Sequence, residues 1–154
     1  MPMTAEAEDR DAVRAALDAL TRRFFAAVSF ESGQRPAYPV LHELFVEGGR
    51  LIRNSGDQPE IATVEQFVEP RQRSVDSGEL SAFEEAETAE ITEIFGNVAH
   101  RFSTYTKSGV LGGDPFTGRG MISTQFIRTP HGWKISSMAW DDERPGLTIP
   151  DRYR

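Results

Sequence analysis

EITEIFGNVAHRFSTY, residues 90–105, carries the pattern that decides the fold. Apolar or β-branched residues alternate with polar ones on both sides of Gly96-Asn97, which is the period of a β-strand. Two residues able to adopt positive φ stand between the runs, as a tight hairpin requires. A two-residue loop fixes the register. Phe95 faces Val98, Glu93 faces His100 and Ile91 faces Phe102, while Thr92 and Arg101, Glu90 and Ser103, and Thr88 and Tyr105 pair on the opposite face. One face is apolar and the other polar and aromatic.

The same period continues on either side. Strands are expected over about 82–95, 98–108, 119–129 and 133–141, as a meander of antiparallel strands. A second hairpin turning through Thr129-Pro130-His131-Gly132 places Ile122, Thr124 and Phe126 beside Trp133, Ile135 and Ser137. Met121, Ser123, Gln125 and Ile127 then share the other face with Met138 and Trp140. The run 113–119 superficially resembles a phosphate loop but lacks the Lys-Ser/Thr ending and a following helix, so it reads as a rim loop.

Upstream the period is helical. Val13, Leu17, Leu20, Phe24 and Val28 form one stripe of a long amphipathic helix over 5–29. Gly33, Pro36 and Pro39 end it and start a short helix through Leu44 that presents Tyr38, Leu41 and Phe45, followed by a strand over 46–53. Thr63 and Gln66 have capping-box spacing ahead of a third apolar stripe of Val64, Phe67, Val68 and Val75. Gly78 stops that helix, and Pro70 predicts a kink or split near 66–70. The tail, 144–154, reads as an irregular extension able to clasp a partner.

A chain of 154 residues with ten Phe and two Trp is of a size to form one domain, 1–154, with a sizeable core. The absence of Cys removes disulfides, Cys-type zinc sites, iron–sulfur clusters and thiol nucleophiles. The formal charge of −7 repels phosphate backbones and anionic lipid, so nucleic acid is not an expected partner. No run is apolar enough to span a membrane, and the first residues (Glu6, Glu8, Asp9, Asp11) are acidic where a signal peptide is basic. A cytoplasmic location is expected. The three His are far apart without ligand spacing, so neither a metal site nor a cofactor is expected.

Three stretches, FGNVAHRFSTY (95–105), RGMISTQF (119–126) and GWKISSMAWDDE (132–143), resemble strand signatures of the nuclear-transport-factor-2-like superfamily. The likeness is to its SnoaL-like, ketosteroid isomerase-like and uncharacterised bacterial branches, and it covers nearly the whole chain. It implies an α+β cone, with three N-terminal helices packed on a strongly curved antiparallel sheet. It further implies a cavity for a small hydrophobic or polycyclic ligand, serving either a cofactor-independent isomerase, dehydratase or cyclase, or a non-catalytic ligand-binding or protein-interaction dimer. The Asp–Tyr–Asp set of the ketosteroid isomerases and the Asp–His pair of the scytalone dehydratases have no residue-by-residue match here.

Acid–base chemistry in such a cone needs an inward-pointing ionisable group moved toward neutrality by burial, and a donor for a developing oxyanion. With the apolar face inward, His100, Phe102, Thr124, Ser137 and Asp141 gather on the concave side, approached by Tyr38, His42 and Phe45. Asp141 with His100 is the sharpest catalytic pairing, and Asp141 with His42 its variant. The plainer readings are a solvated Asp141-Asp142-Glu143 run and a cross-strand His100–Glu93 pair. One bulge would instead swing Tyr105, Ser103, Glu90 and Arg101 into the cavity, with Tyr105 and Arg101 as donors. Both faces of the last strands are apolar and three helices cover only one. A homodimer through Met121, Ser123, Gln125, Met138 and Trp140 is therefore expected, Gln125 and Trp140 serving equally as pocket wall.

Overall fold

Helix α1 (Pro2–Val28) opens the chain in the computed structural model, which describes residues 2–154, with side chains from Asp9 onward. Its expected stripe of Val13, Leu17, Leu20, Phe24 and Val28 is buried throughout. A 3-10 turn (Tyr38–Val40) runs into α2 (Leu41–Leu44), then β1 (Phe45–Arg53), a short β2 (Glu60–Ala62) and α3 (Val64–Asp76). Four long strands follow: β3 (Leu80–Phe95), β4 (Val98–Leu111), β5 (Asp114–Thr129) and β6 (Gly132–Asp142). The sheet order is β2-β1-β6-β5-β4-β3, curved and open, with the helices on one face.

Two details differ from a pure meander. β1 joins β6 in parallel, Phe45 opposite Ile135 and Arg53 opposite Trp140, so the sheet is only mostly antiparallel. Residues 114–119, expected to be a rim loop, extend β5, because Gly112 and Gly113 both take positive φ and close a two-residue turn between Leu111 and Asp114.

Thr63 and Gln66 form the expected capping box, and Ser77 with Gly78 (φ +82°) ends α3. The helix neither splits nor stops at Pro70. Pro70 removes the amide donor for the Gln66 carbonyl, and the Arg71 guanidinium donates to the next carbonyl, that of Phe67, at 2.9 Å.

At Gly96-Asn97 the hairpin is as expected, with Gly96 at φ +57°. Phe95–Val98, Glu93–His100, Ile91–Phe102, Thr92–Arg101 and Glu90–Ser103 are partners. Thr88 bulges, so Glu87 rather than Thr88 lies opposite Tyr105. The face assignment, however, is reversed: Arg101, Ser103 and Tyr105 point toward the helices, and Ile91, Phe95, Val98 and Phe102 point away. Arg101 turns inward because carboxylates await it there: Asp18 on α1 and Glu87 on β3 each accept from it at 2.6 Å.

A bulge at Ser136 governs β6. Phe126 pairs with Ile135 and Gln125 with Ser137, so parity flips between them. Ile135 and Met138 both enter the core, and Trp140 packs edge-on to Phe67 of α3, ring centroids 6.0 Å apart. Met138 and Trp140, expected on the outer face, are therefore core and cavity residues. The tail folds back on its own sheet: Ile149 is buried, and Tyr153 stacks edge-to-face on Phe102 at 5.2 Å. Among the described residues, no helix is long and apolar enough to cross a membrane.

Candidate functional site

Three cross-strand rows on the inner face build the site. Phe83, Gly109 and Phe116 form the first row and Glu85, Lys107 and Gly118 the second. Glu87, Tyr105, Gly120 and Asp142 form the third. Gly109, Gly118 and Gly120 leave space that neighbouring side chains occupy. A Cβ on Gly118 would stand 2.9 Å from Lys107 Cε, and one on Gly120 would collide with the Tyr105 phenol. The phenol crosses Gly120 to donate to the Asp142 carboxylate and, at 3.2 Å, to the Asp141 carbonyl. Lys107 Nζ donates to both Asp142 oxygens at 3.0 Å.

The first two rows face a cavity of about 220 Å³ bounded by Tyr38 and by Phe67 and Arg71 of α3, with Trp140 and Phe116 in its walls, and the third row adjoins it. Arg71 lies over the Phe67 ring, 3.6 Å from its centroid. Aromatic walls with a few convergent ionic groups are the usual make-up of a small-molecule site.

Glu85 is the group whose chemistry this environment alters most. Burial pushes its carboxyl up to about 7, Lys107 and Arg71 opposing and Asp142 reinforcing the shift. Its backbone is fixed, the amide donating to Ser29 Oγ at 3.1 Å, and no side-chain partner among the described residues engages its carboxyl. Burial and the hydrogen bond to Asp142 raise Tyr105, so it stays a phenol at any ordinary pH. Burial also raises Tyr38, against the opposing charge of Arg71.

The expected catalytic pair is not assembled. His100 is 63% exposed on the outer face, bonded to Glu93 at 2.8 Å, and Asp141 is bound outside by Arg144 at 2.5 Å. The Ser136 bulge moves the inward role one residue on, from Asp141 to Asp142. Phe102 and Ser137 lie on the outer side, and His42 sits exposed in a separate surface groove beside Val46 and Thr63. Phe45 is core, its ring 6.4 Å from that of Phe24, and Thr124 is buried opposite Met138. Of the expected pocket set, Tyr38 lines the cavity and Tyr105 stands in the adjoining row. Of the expected interface set, Met121, Ser123 and Gln125 keep the outer face.

A cone of this order, three helices against one open curved sheet, recurs among solved structures. The hexachlorocyclohexane dehydrochlorinase LinA-type3 from Novosphingobium barchaimii superposes with a TM-score of 0.74 at 16% identity, covering 90% of this chain and 91% of that one. A nuclear transport factor 2-like superfamily protein from Salmonella enterica gives 0.71 at 15% identity, covering 86% and 92%. The fold is nuclear-transport-factor-2-like. An NTF-2-like protein of unknown function from Silicibacter pomeroyi gives 0.58 at 15% identity, covering 87% and 98%. No family model matches the chain, and no curated protein matches it.

Within this NTF2-like fold, sequence reasoning missed Glu85, Lys107, Asp142, Arg71 and Phe116. Glu85 lies in a run, Glu84-Glu85-Ala86-Glu87, where acids occupy both parities, so alternation does not tell inside from outside. The three glycines spaced along β4 and β5 were the available signal, since a strand glycine often marks close approach by a neighbour. Among the described residues no three His, Asp or Glu side chains gather as a metal site. The arrangement combines a carboxyl that burial raises to about 7, a lysine beside it, and a phenol held neutral in the adjoining row.

Proposed function

We propose that the protein binds a compact, mostly apolar molecule bearing a carbonyl or similar electron-withdrawing group and moves a proton on it without a cofactor. Glu85 is the acid–base group, and Lys107 stabilises the developing anion. The observation that carries this reading is the placement of the Glu85 carboxyl, raised by burial to about 7, beside Lys107 at the wall of an aromatic cavity. Lys107 and Glu85 are cross-strand partners on one face, so a substrate atom between them meets both. At about 220 Å³ the cavity lies below the ~300–1,000 Å³ range of drug-sized pockets, which favours one ring over the polycyclic ligand first expected. The dehydrochlorinase among the structural neighbours is named for a substrate with a single six-membered ring.

The test is α-carbon deuterium exchange of cyclohexanone and cyclohex-2-enone in D2O, followed by NMR. The protein accelerates exchange, and Glu85→Gln lowers the rate about 10²-fold or more, the usual share of a positioned acid–base group. Equal rates with Glu85→Gln and wild type would remove Glu85 from the chemistry. The absence of both exchange and ligand-induced thermal shift would remove the small-molecule reading altogether.

The outer sheet face supports a homodimer with a corrected interface. Phe95 is 86% exposed, Val98 48% and Ile91 47%, in one strip beside Met121, Gln125 and Ile127. A strip of this kind is ordinarily covered by a partner. Sedimentation velocity at micromolar concentration should give about twice the monomer mass, and Ile91→Asp should give the monomer. A wild-type monomer at all concentrations rejects the dimer.

A further inference from the structure

Phe83 and Phe116 stand between two spaces. On one side is the inner cavity with Glu85, Lys107 and Trp140. On the other is a groove of about 670 Å³ along the outer rim, lined by Phe30, Gln34, Val110 and Pro115. Both rings belong to both walls, their centroids 6.3 Å apart and their planes tilted by 32°. Each residue is a strand partner of Gly109, on either side of it. A Cβ at Gly109 would stand 2.7 Å from Phe116 Cζ and 2.5 Å from the Ala82 carbonyl oxygen. Only a residue without a side chain lets the Phe116 ring lie down over β4 toward Phe83.

We propose that Phe116, lying over Gly109 against Phe83, is the specificity-determining partition of the site, limiting ligand length by separating the inner cavity from the rim groove. The proposal rests on the ligand-binding reading of the inner cavity and names the feature that confines that ligand to a single ring. The two leaves are not equally anchored. The Phe83 backbone is bonded in both directions to Phe30, at 2.7 and 3.0 Å, on the segment that follows α1. Phe116 sits three residues after the Gly112-Gly113 turn and directly after Pro115, which has no amide to give the ladder. Phe83 is thus the fixed leaf and Phe116 the one that can be displaced. Joined, the two spaces fall within the size range of pockets for extended ligands. Removal of the Phe116 ring therefore converts a site for a compact ring into one for a ring with a chain.

The experiment uses the full chain and two readouts. Calorimetric affinities for 4-methylphenol and 4-hexylphenol are compared in wild type, Phe116→Ala and the control Ile61→Ala, an exposed side chain on β2 outside both spaces. The hexyl-to-methyl affinity ratio rises at least tenfold in Phe116→Ala and stays within about twofold in Ile61→Ala. Independently of any ligand, acrylamide quenching of Trp140 in a Trp133→Phe background increases at least twofold when Phe116 is replaced by alanine. Phe83→Ala opens the partition from its other side and serves if Phe116→Ala fails to fold. An unchanged affinity ratio together with unchanged quenching in a folded variant overturns the partition. If neither phenol binds the wild type, the cavity-binding reading fails on that result, and the quenching comparison alone decides the partition.

Discussion

At pH 8 the Glu85→Gln variant is expected to be more stable than the wild type by about 2–3 kcal/mol, and at pH 5 the two should agree within about 1 kcal/mol. Burial raises the folded-state carboxyl to about 7 from an ordinary 4.5. Below pH 4.5 both states hold the proton, and Glu85 imposes no penalty. As pH rises, the unfolded chain releases it first, so folded stability falls until about pH 7 and then levels off. A gap of that size, at about 1.4 kcal/mol per pH unit, amounts to about 3 kcal/mol. Glutamine keeps the shape and cannot ionise, so it removes the slope. Urea titrations of both proteins at pH 5 and pH 8 supply the four free energies. A difference independent of pH would place the Glu85 carboxyl in water and end its claim to acid–base work. Coupled to the exchange assay, a variant gaining stability while losing turnover separates chemistry from misfolding.

Arg101→Met should lower stability by about 3–5 kcal/mol, because removing one partner of a buried ionic cluster leaves the others uncompensated. The Arg101 side chain is 5% exposed. It donates to Asp18 at 2.6 Å and to the two Glu87 oxygens at 2.6 and 3.0 Å, with Glu90 at 3.9 Å. Burial alone would lower its pKa, but the hydrogen bonds to Glu87 and Asp18 and the charge of Glu90 outweigh that and raise it. The cluster ties β3 and β4 to α1, and Arg14 on the helix extends it to Glu90. For a chain of this length the loss is a fall in Tm of about 10 °C, read by calorimetry. Arg101→Lys recovers only part of it, since an ammonium cannot make the forked contact to Glu87. An Arg101→Met protein melting within about 2 °C of wild type would show that the cluster contributes nothing to stability.

The elements were legible because their signals are local. The Gly96-Asn97 hairpin, the Thr63–Gln66 capping box and the α1 stripe each depend on residues within a turn or two of one another. What the sequence did not show was which side of the sheet faces in. The apolar set Ile91, Phe95, Val98 and Phe102 looks like a core face, whereas Arg101 is buried on the inner side by Glu87 on β3 and by Asp18, on a helix more than eighty positions away. The second error, placing Asp141 and Trp140 by strict alternation, came from a single added residue at Ser136. A bulge leaves no mark in composition and reverses every side chain beyond it. The site inherits both effects: Tyr105 lies on the inner face because the whole face is reversed and not because of a bulge in β4, and Glu85 was not foreseen.

The position of β6 also bears on how the chain reaches its folded form during synthesis. The last strand made is an interior one, flanked by β5 and, in parallel, by β1, whose Phe45 waits for Ile135. Until residues 132–142 leave the ribosome, Phe45 and Leu51 of β1 lack their strand partners Ile135 and Met138, and β5 keeps an open edge. Pairing at so great a separation is slow to form. A nascent chain stalled before Gly132 therefore displays its greasy surfaces to chaperones, and a stop codon there yields a fragment for degradation.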